Sequence, residues 1–473
     1  MSIHFLDLLI FIVYLIFMLG VGFYFLNKNK SRDDYYVGGR NMSAGHIGLS
    51  VVATDVGGGF SIGLGGLGFL MGLSGSWMLF TGLLGAWLSA VILIPKIYPI
   101  AKKHQFLTFP ESLAFHYNKK VAFIAGIISL IGYIGFTSSQ ILAGAKLASA
   151  TFPSISITNA VLIMGVIAVV YTVVGGIKAV IYTDTIQWII LMVGLIGIGI
   201  PVGFIKIGGF NAIHETLPSQ FLTLTNIKFI DLFNWVITIV PIWFVGMTLY
   251  QRIYACKNEK TAKKAWIIAG LFEYPIMAFM GVALGLFARV AFEKGMFTAV
   301  GYSPNTVLDA ELGLPLLLRT ILPVGLMGLM MSAYFSAIMS TADSCLMAAS
   351  GNLVTDIFGY FKKNISIKKS QIITLLIGGL AIVLATKMQN VLELMLYSYA
   401  FMVSGLLVPV LGFLLLKNPS ANAAFYAMIT GGTTTLVLIV FEIRLPFELD
   451  ANFFGIISAL IVFSTIHIIE KVK

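Results

Sequence analysis

Apolar stretches of about 20 residues recur along the whole chain, and this limits the possible folds more than any motif does. A helix needs about 20 such residues to cross the hydrocarbon of a bilayer, and about thirteen stretches meet or approach that length. Their expected bounds are 5–26, 47–74, 77–98, 121–150, 158–177, 184–205, 229–250, 265–291, 321–357, 370–387, 391–416, 422–442 and 453–470. In lipid each must be helical, because every backbone donor and acceptor needs an internal partner. Strands of a membrane barrel would be shorter, about 10 residues, and would alternate. Hydrophobic residues make up 58% of the chain and charged residues 11%, whereas a soluble chain is about 25% charged. So few charges could not cover a water-soluble globule. An all-α polytopic membrane protein is expected, which excludes a soluble enzyme, a disordered scaffold and a disulfide-stapled secreted module. Two cysteines, Cys256 and Cys345, provide neither a disulfide framework nor a transition-metal cluster.

The net charge of +10 is not a nucleic-acid signal, because the basic residues fall in short clusters between apolar runs. Lys28, Arg32, Lys102, Lys103, Lys119, Arg252, Lys257, Lys362, Lys363 and Lys417 fall on one side, and Lys206, Arg289, Arg319 and Arg444 on the other. The richer side is expected to be cytoplasmic, which places the N-terminus outside and the C-terminus inside a cell membrane. The first run is long and no small-residue cleavage site follows it, so it reads as a membrane helix rather than a signal peptide. The stretches near 206–228 and 292–320 are expected to be loops, with no soluble domain. Lys146, near the outer end of the fourth stretch, is expected to snorkel to the interface. The expected partners are lipid and small molecules, with no obligate protein partner evident.

Gly63, Gly65 and Gly68 form a G-x-G-x-x-G pattern, but it lies inside an apolar segment rather than after a strand, so helix packing explains it better than nucleotide binding. The second stretch carries Asp55 followed by Gly57, Gly58 and Gly59. Each glycine weakens a helix by about 1 kcal/mol relative to alanine, and a broken membrane helix frees carbonyls for cations. A carboxylate at that depth marks a functional site. Asp184, between Thr183 and Thr185 at the expected start of the sixth stretch, reads either as an N-cap or as an ion ligand. In the ninth stretch Ser340, Thr341, Asp343 and Ser344 set several oxygens on adjacent turns, the donor type a hard cation prefers. Pro241, Trp243, Phe244 and Gly246 place aromatics beside helix breakers in the seventh stretch. Paired interruptions in corresponding helices of two repeated units point to a transporter's binding site.

These residues resemble the sodium/solute symporter family, whose members include sodium/proline, sodium/galactose, sialic acid and choline transporters. The resemblance runs over roughly 30–416, on Asp34 to Arg40, Gly175–Gly176 with Thr183 to Gln187, and Met339 to Ser344. It implies a leucine-transporter-type fold of two inverted five-helix repeats in one transmembrane domain. The repeats would cover 47–205 and 229–416, with peripheral segments at 1–46 and 417–473. It implies a sodium site from the carbonyls of Ala53, Val56 and Ala337 and the hydroxyls of Ser340 and Thr341. A second ion site would match Asp184, Ser340, Asp343 and Ser344, although the family commonly has serine at the place of Asp343. The substrate region would include Asp55, Phe60, Ser138, Gln140, Trp243, Phe244 and Tyr397. The implied function is sodium-coupled import of a small polar organic solute (amino acid, amine, sugar or carboxylate) by alternating access. Proton coupling and a passive channel are the alternatives. Sodium is the one cofactor implied, and enzymatic activity is not expected.

Overall fold

A computed structural model describes residues 4–26, 31–152, 154–361 and 365–472, apart from the side chains at 19, 22, 25, 26, 56, 59–61, 174, 175 and 179. Among these residues the only extended pairing is an isolated bridge between Met42 and Cys256. The helices, in chain order, begin with α1 (Phe5–Leu26), α2 (Ala44–Val56), α3 (Gly58–Met71), α4 (Trp77–Ile92) and α5 (Lys119–Thr151). Next come α6 (Ile157–Gly194), α7 (Phe229–Val245), α8 (Met247–Ala255), α9 (Glu259–Leu271), α10 (Ala278–Glu293) and α11 (Ala310–Ile321). The chain closes with α12 (Leu326–Gly351), α13 (Ile367–Ala385), α14 (Val391–Leu415), α15 (Ala421–Val440) and α16 (Ala451–Val472). The expected stretches fall on these helices or on broken pairs, except that 158–177 and 184–205 share α6, the second running on into the helix Ile200–Ile207, and 77–98 runs on from α4 into the helix Ile94–His104. Among the described residues eight segments are long and apolar enough to cross a membrane, or nine if α7 and α8 form one bent span; the apolar helices Phe5–Met18 and Ile157–Val173 are shorter.

Three departures from the sequence reading bear on function. Gly176 interrupts α6 (φ 63°, ψ 177°), so the sixth stretch starts near 177 rather than at 184. Asp184 therefore lies inside a helix whose N–H groups are already paired, and a capping role is excluded. The 292–320 region is not all loop, since α11 folds back against α3 and α5. It carries Glu311, and Asp309 precedes it; both carboxylates lie 2.6 Å from the Lys146 ammonium. Lys146 is only 3% exposed, so it does not snorkel. Glu311 also accepts from the N–H groups of Val391 and Leu392 at 3.0 and 2.9 Å, which fastens α11 to the start of α14.

α12 runs through the centre of the bundle and is buried along nearly its whole length. It packs on α5, α6, α2 and α1. The outward sides of α1, α13, α15 and α16 expose large apolar residues such as Phe17, Leu376, Val440 and Ile461, the surface expected against lipid. Two breaks lie at the centre. α2 and α3 part at Gly57 (φ −18°, ψ −163°), and α7 and α8 part at Gly246 with a bend of 42°. The first break lies directly on α12. A Cβ at Gly57 would stand 1.6 Å from Thr341 Oγ1, and one at Gly58 would stand 2.1 Å from Ile338 Cγ1. Glycine is needed there for close approach. Gly57→Ala should push α2 away from α12 and destabilise the protein by about 1–3 kcal/mol, the usual cost of overpacking. A thermal melt of the purified variant checks this, and an unchanged midpoint would show that the approach is looser than described.

Candidate ion and solute site

In an unbroken helix the carbonyls of Ala53 and Thr54 would accept from the N–H groups four residues on, at Gly57 and Gly58. The break at Gly57 releases them. Thr341 Oγ1 lies within reach of both, at 3.2 Å from the Ala53 oxygen and 3.0 Å from the Thr54 oxygen, and 3.4 Å from its own helix's Ala337 oxygen. Ser340 Oγ donates to Asp184 Oδ1 at 2.6 Å. With its proton held there, the lone pairs of Ser340 are free to face a cation. A cavity of about 10 Å³, room for roughly one water-sized sphere, is lined by Ala53, Gly57, Gln187, Ala337 and Ser340. Ala53, Ala337, Ser340 and Thr341 thus converge from α2 and α12. Val56 ends α2, and its side chain is outside the described residues.

The second expected set does not converge in the same way. Asp184 and Ser344 both bond the fully buried guanidinium of Arg252 on α8. Its Nη2 lies 3.1 Å from Asp184 Oδ2, 2.7 Å from Ser344 Oγ and 2.5 Å from Thr54 Oγ1. Its Nε donates to Ser50 Oγ at 2.9 Å and its Nη1 to the Thr248 carbonyl at 3.2 Å. Ser50 also donates to Asp184. Asp343 points elsewhere: its Oδ1 accepts from Thr172 on α6 at 2.5 Å, and its Oδ2 has no partner among the described residues. Sequence reading had counted Arg252 only as a topological charge. Its place among hydroxyls from two helices is a tertiary fact that spacing does not carry.

The second break frames another small cavity. It is lined by Thr54, Asp55, Tyr133, Phe136, Ile242, Gly246, Thr248, Leu249 and Tyr399. Near the start of α8 the Thr248 N–H, left without an intrahelical acceptor, donates to the Tyr133 hydroxyl at 3.2 Å. Of the expected solute residues, Asp55 faces this cavity. Trp243 is fully buried against α4, where a Cβ at Gly85 would stand 2.3 Å from its ring, and against Trp266. Phe244 is also buried. Ser138 and Gln140 are buried in α5, where Ser138 bonds the Ile134 carbonyl and Gln140 bonds Ser139. Tyr397 does not reach this cavity but lines a larger open one, where it donates to Glu393 at 2.7 Å, while Tyr399 two positions on faces the cavity at Asp55. The Phe60 side chain is outside the described residues. Tyr133, Phe136, Tyr399 and Glu273 were not anticipated. Glu273 could have been, since it is a carboxylate inside an apolar stretch.

A larger cavity of about 500 Å³ opens between α3, α11, α14 and the start of α16. Asp309, Glu311, Glu393 and Asp450 line it, and it reaches Gly63 and Ala400. Burial and the nearby Asp231 carboxylate push Asp450 up to about 6, so this mouth gains negative charge as pH rises through that value.

The family description "Sodium:solute symporter family" matches residues 35–431. The chain belongs to this family. Its activity is sodium-coupled symport, and sodium is the coupling ion. The chain is 27% identical to the sodium/proline symporter of Escherichia coli, over 91% of this chain and 87% of that one. It is 26% identical to the sodium/glucose cotransporter 1 of Oryctolagus cuniculus, over 90% of this chain and 70% of that one. Among solved structures, a sodium-coupled sialic acid symporter in its substrate-bound outward-open state superposes with a TM-score of 0.80 at 20% identity, over 98% of both chains. That likeness establishes the fold, which is of the leucine-transporter type.

Within this symporter the Arg252–Asp184 pair is a buried ion pair, and removing one partner from such a pair typically costs about 3–5 kcal/mol. Asp184→Asn should therefore lower the melting midpoint sharply. The double variant Asp184→Asn with Arg252→Gln should recover part of the loss, because no charge is then left alone. Additive losses in a thermal unfolding cycle would show that the two side chains act independently.

Proposed function

We propose that this symporter imports a small polar organic solute together with one sodium ion per cycle. In this reading the carbonyls of Ala53, Val56 and Ala337 and the hydroxyls of Ser340 and Thr341 hold the ion. The observation that carries it is the seat of Thr341 on carbonyls released by the break at Gly57. A cation entering there gains oxygens from both α2 and α12, so it favours the conformation in which the two helices lie together. A solute that prefers that same conformation binds more tightly with sodium present, and the effect is reciprocal. Asp184 acts through Ser340, as a positioning residue that keeps the hydroxyl's lone pairs turned toward the ion.

Arg252 supports the single-ion stoichiometry. Its guanidinium already bonds Asp184 and Ser344, two members of the other expected site, and Asp343 is turned to Thr172. The solute, in this proposal, binds in the cavity at Asp55 between the two helix breaks. The repeats 47–205 and 229–416 would each open on one of those broken helices. The basic clusters support a cytoplasmic C-terminus in a cell membrane.

Uptake into proteoliposomes tests both parts. A sodium gradient, not a proton gradient alone, should drive solute entry with a Hill coefficient of about one for sodium. A coefficient near two would return the second site to use, and proton-driven uptake at full rate would overturn sodium coupling through these residues. The double variant Ser340→Ala, Thr341→Ala removes two oxygens from a site where no water replaces them. Its sodium half-saturation should rise by at least about tenfold, equivalent to about 1.4 kcal/mol; an unchanged value would refute the assignment.

A further inference from the structure

The family resemblance puts α1 outside the two repeats, yet α1 packs on both α6 and α12. Its inward stripe is Asp7, Phe11, Tyr14 and Met18, spaced three or four residues apart on one helix face. Asp7 is only 3% exposed. Its Oδ1 accepts from the N–H groups of Gly325 and Gly328 at 2.7 and 2.8 Å. Gly325 is the N-cap of α12, at φ 89°, and has no side chain with which to meet the amide three residues on. Asp7 meets that amide from another helix, and its charge suits the positive end of α12. The approach is close, since a Cβ at Gly328 would stand 2.4 Å from the Asp7 carbonyl oxygen.

The other contacts of α1 follow α12 toward the ion ligands. Phe11 lies edge to face on Phe335, with ring centroids 5.6 Å apart. Ser336 Oγ donates to the Tyr14 hydroxyl at 2.7 Å. One turn further on stands Ser340, whose hydroxyl donates to Asp184 on α6. So α1 bridges the same two helices that the Ser340–Asp184 bond joins. α12 is one continuous helix from Leu326 to Gly351, buried along nearly its whole length. A shift along or about its axis at Gly328 is therefore carried the roughly 18 Å to Ser340. Apolar contact is non-directional, whereas two hydrogen bonds to one carboxylate oxygen fix both the height and the rotation of the helix start. A hard cation tolerates little error in either, because it holds its oxygens within a few tenths of an ångström.

We infer that Asp7 is a positioning residue for sodium binding: from α1 it sets the height and rotation of α12, and through them where Ser340 and Thr341 stand. The inference rests on those two hydroxyls holding the ion, as proposed above. It is tested on purified full-length protein by following the melting midpoint against sodium concentration, with potassium keeping ionic strength constant. The rise of the midpoint with sodium gives the apparent sodium dissociation constant. Asp7→Ala should raise that constant by about fivefold, equivalent to about 1 kcal/mol. Asp7→Asn keeps an acceptor oxygen and should stay within about twofold of the unsubstituted protein. A purely structural staple would lower the midpoint equally at every sodium concentration and leave the constant alone, so that outcome overturns the inference. So does an Asp7→Asn variant that behaves like Asp7→Ala, which would make the charge rather than the hydrogen bonds the cause. Where Asp7→Ala does not yield folded protein, Tyr14→Phe decides instead: it removes only the hydroxyl beside Ser336, and an unchanged constant overturns the inference. The Ser340→Ala, Thr341→Ala double variant is measured alongside. If it keeps its sodium response, the ion site is elsewhere and the inference falls with the sodium assignment. If it loses that response while Asp7→Ala binds sodium normally, the inference alone falls.

Discussion

The guanidinium of Arg252 ties together the four helices that any binding event at the centre must involve. From α8 it reaches Ser50 and Thr54 on α2, Asp184 on α6 and Ser344 on α12, and it bonds the Thr248 carbonyl of its own helix. Away from water, each of these polar groups would be expensive to leave alone. Their common partner is one planar fork with five donors in fixed directions, a geometry a lysine could not reproduce. The α2 side of the first break is thus held in register with the start of the second broken helix, α8. That register places Thr341 over the carbonyls that the first break sets free.

The breaks create function because each leaves backbone groups without intrahelical partners. At Gly57 the unpaired groups are carbonyls, and Thr341 meets them from α12. Near Gly246 they include the Thr248 N–H, which the Tyr133 hydroxyl meets from α5. Hydroxyl partners of this kind can be exchanged for an ion or a solute at little cost, unlike a continuous helix ladder. Such an exchange links occupancy to the spacing of helices, and coupling between ion and solute needs no other connection.

Charge in the interior is handled in three different ways. Arg252 with Asp184, and Lys146 with Asp309 and Glu311, are closed ion pairs that also fasten helices. Asp343 is partly satisfied by Thr172. Asp55 and Glu273 are paired acid to acid, and neither takes part in a described ion pair.

The thirteen apolar stretches, the glycine run after Asp55 and the hydroxyl cluster of 337–344 were legible in the sequence. Span length, backbone breaking and donor type are local properties, written in consecutive residues. The family resemblance rested on the same local signals. What the sequence could not decide was which side chains meet across helices. Asp184 read equally well as a cap or a ligand until Gly176 was seen to start its helix earlier, which leaves Asp184 inside it and against Arg252. Lys146 read as a snorkelling residue because its partners lie beyond residue 300, on and just before a helix taken for a loop. Tyr397 and Tyr399 differ by two positions, and only the packing of α14 decided which one faces the central cavity. Glu273 had the signal of an acid in an apolar stretch, yet its pairing with Asp55 depends on a third residue, Gly82, having no side chain. Local chemistry determined the elements and their breaks. The partners of each buried charge were decided only by tertiary packing, because in the membrane interior a charge is defined by what lies against it.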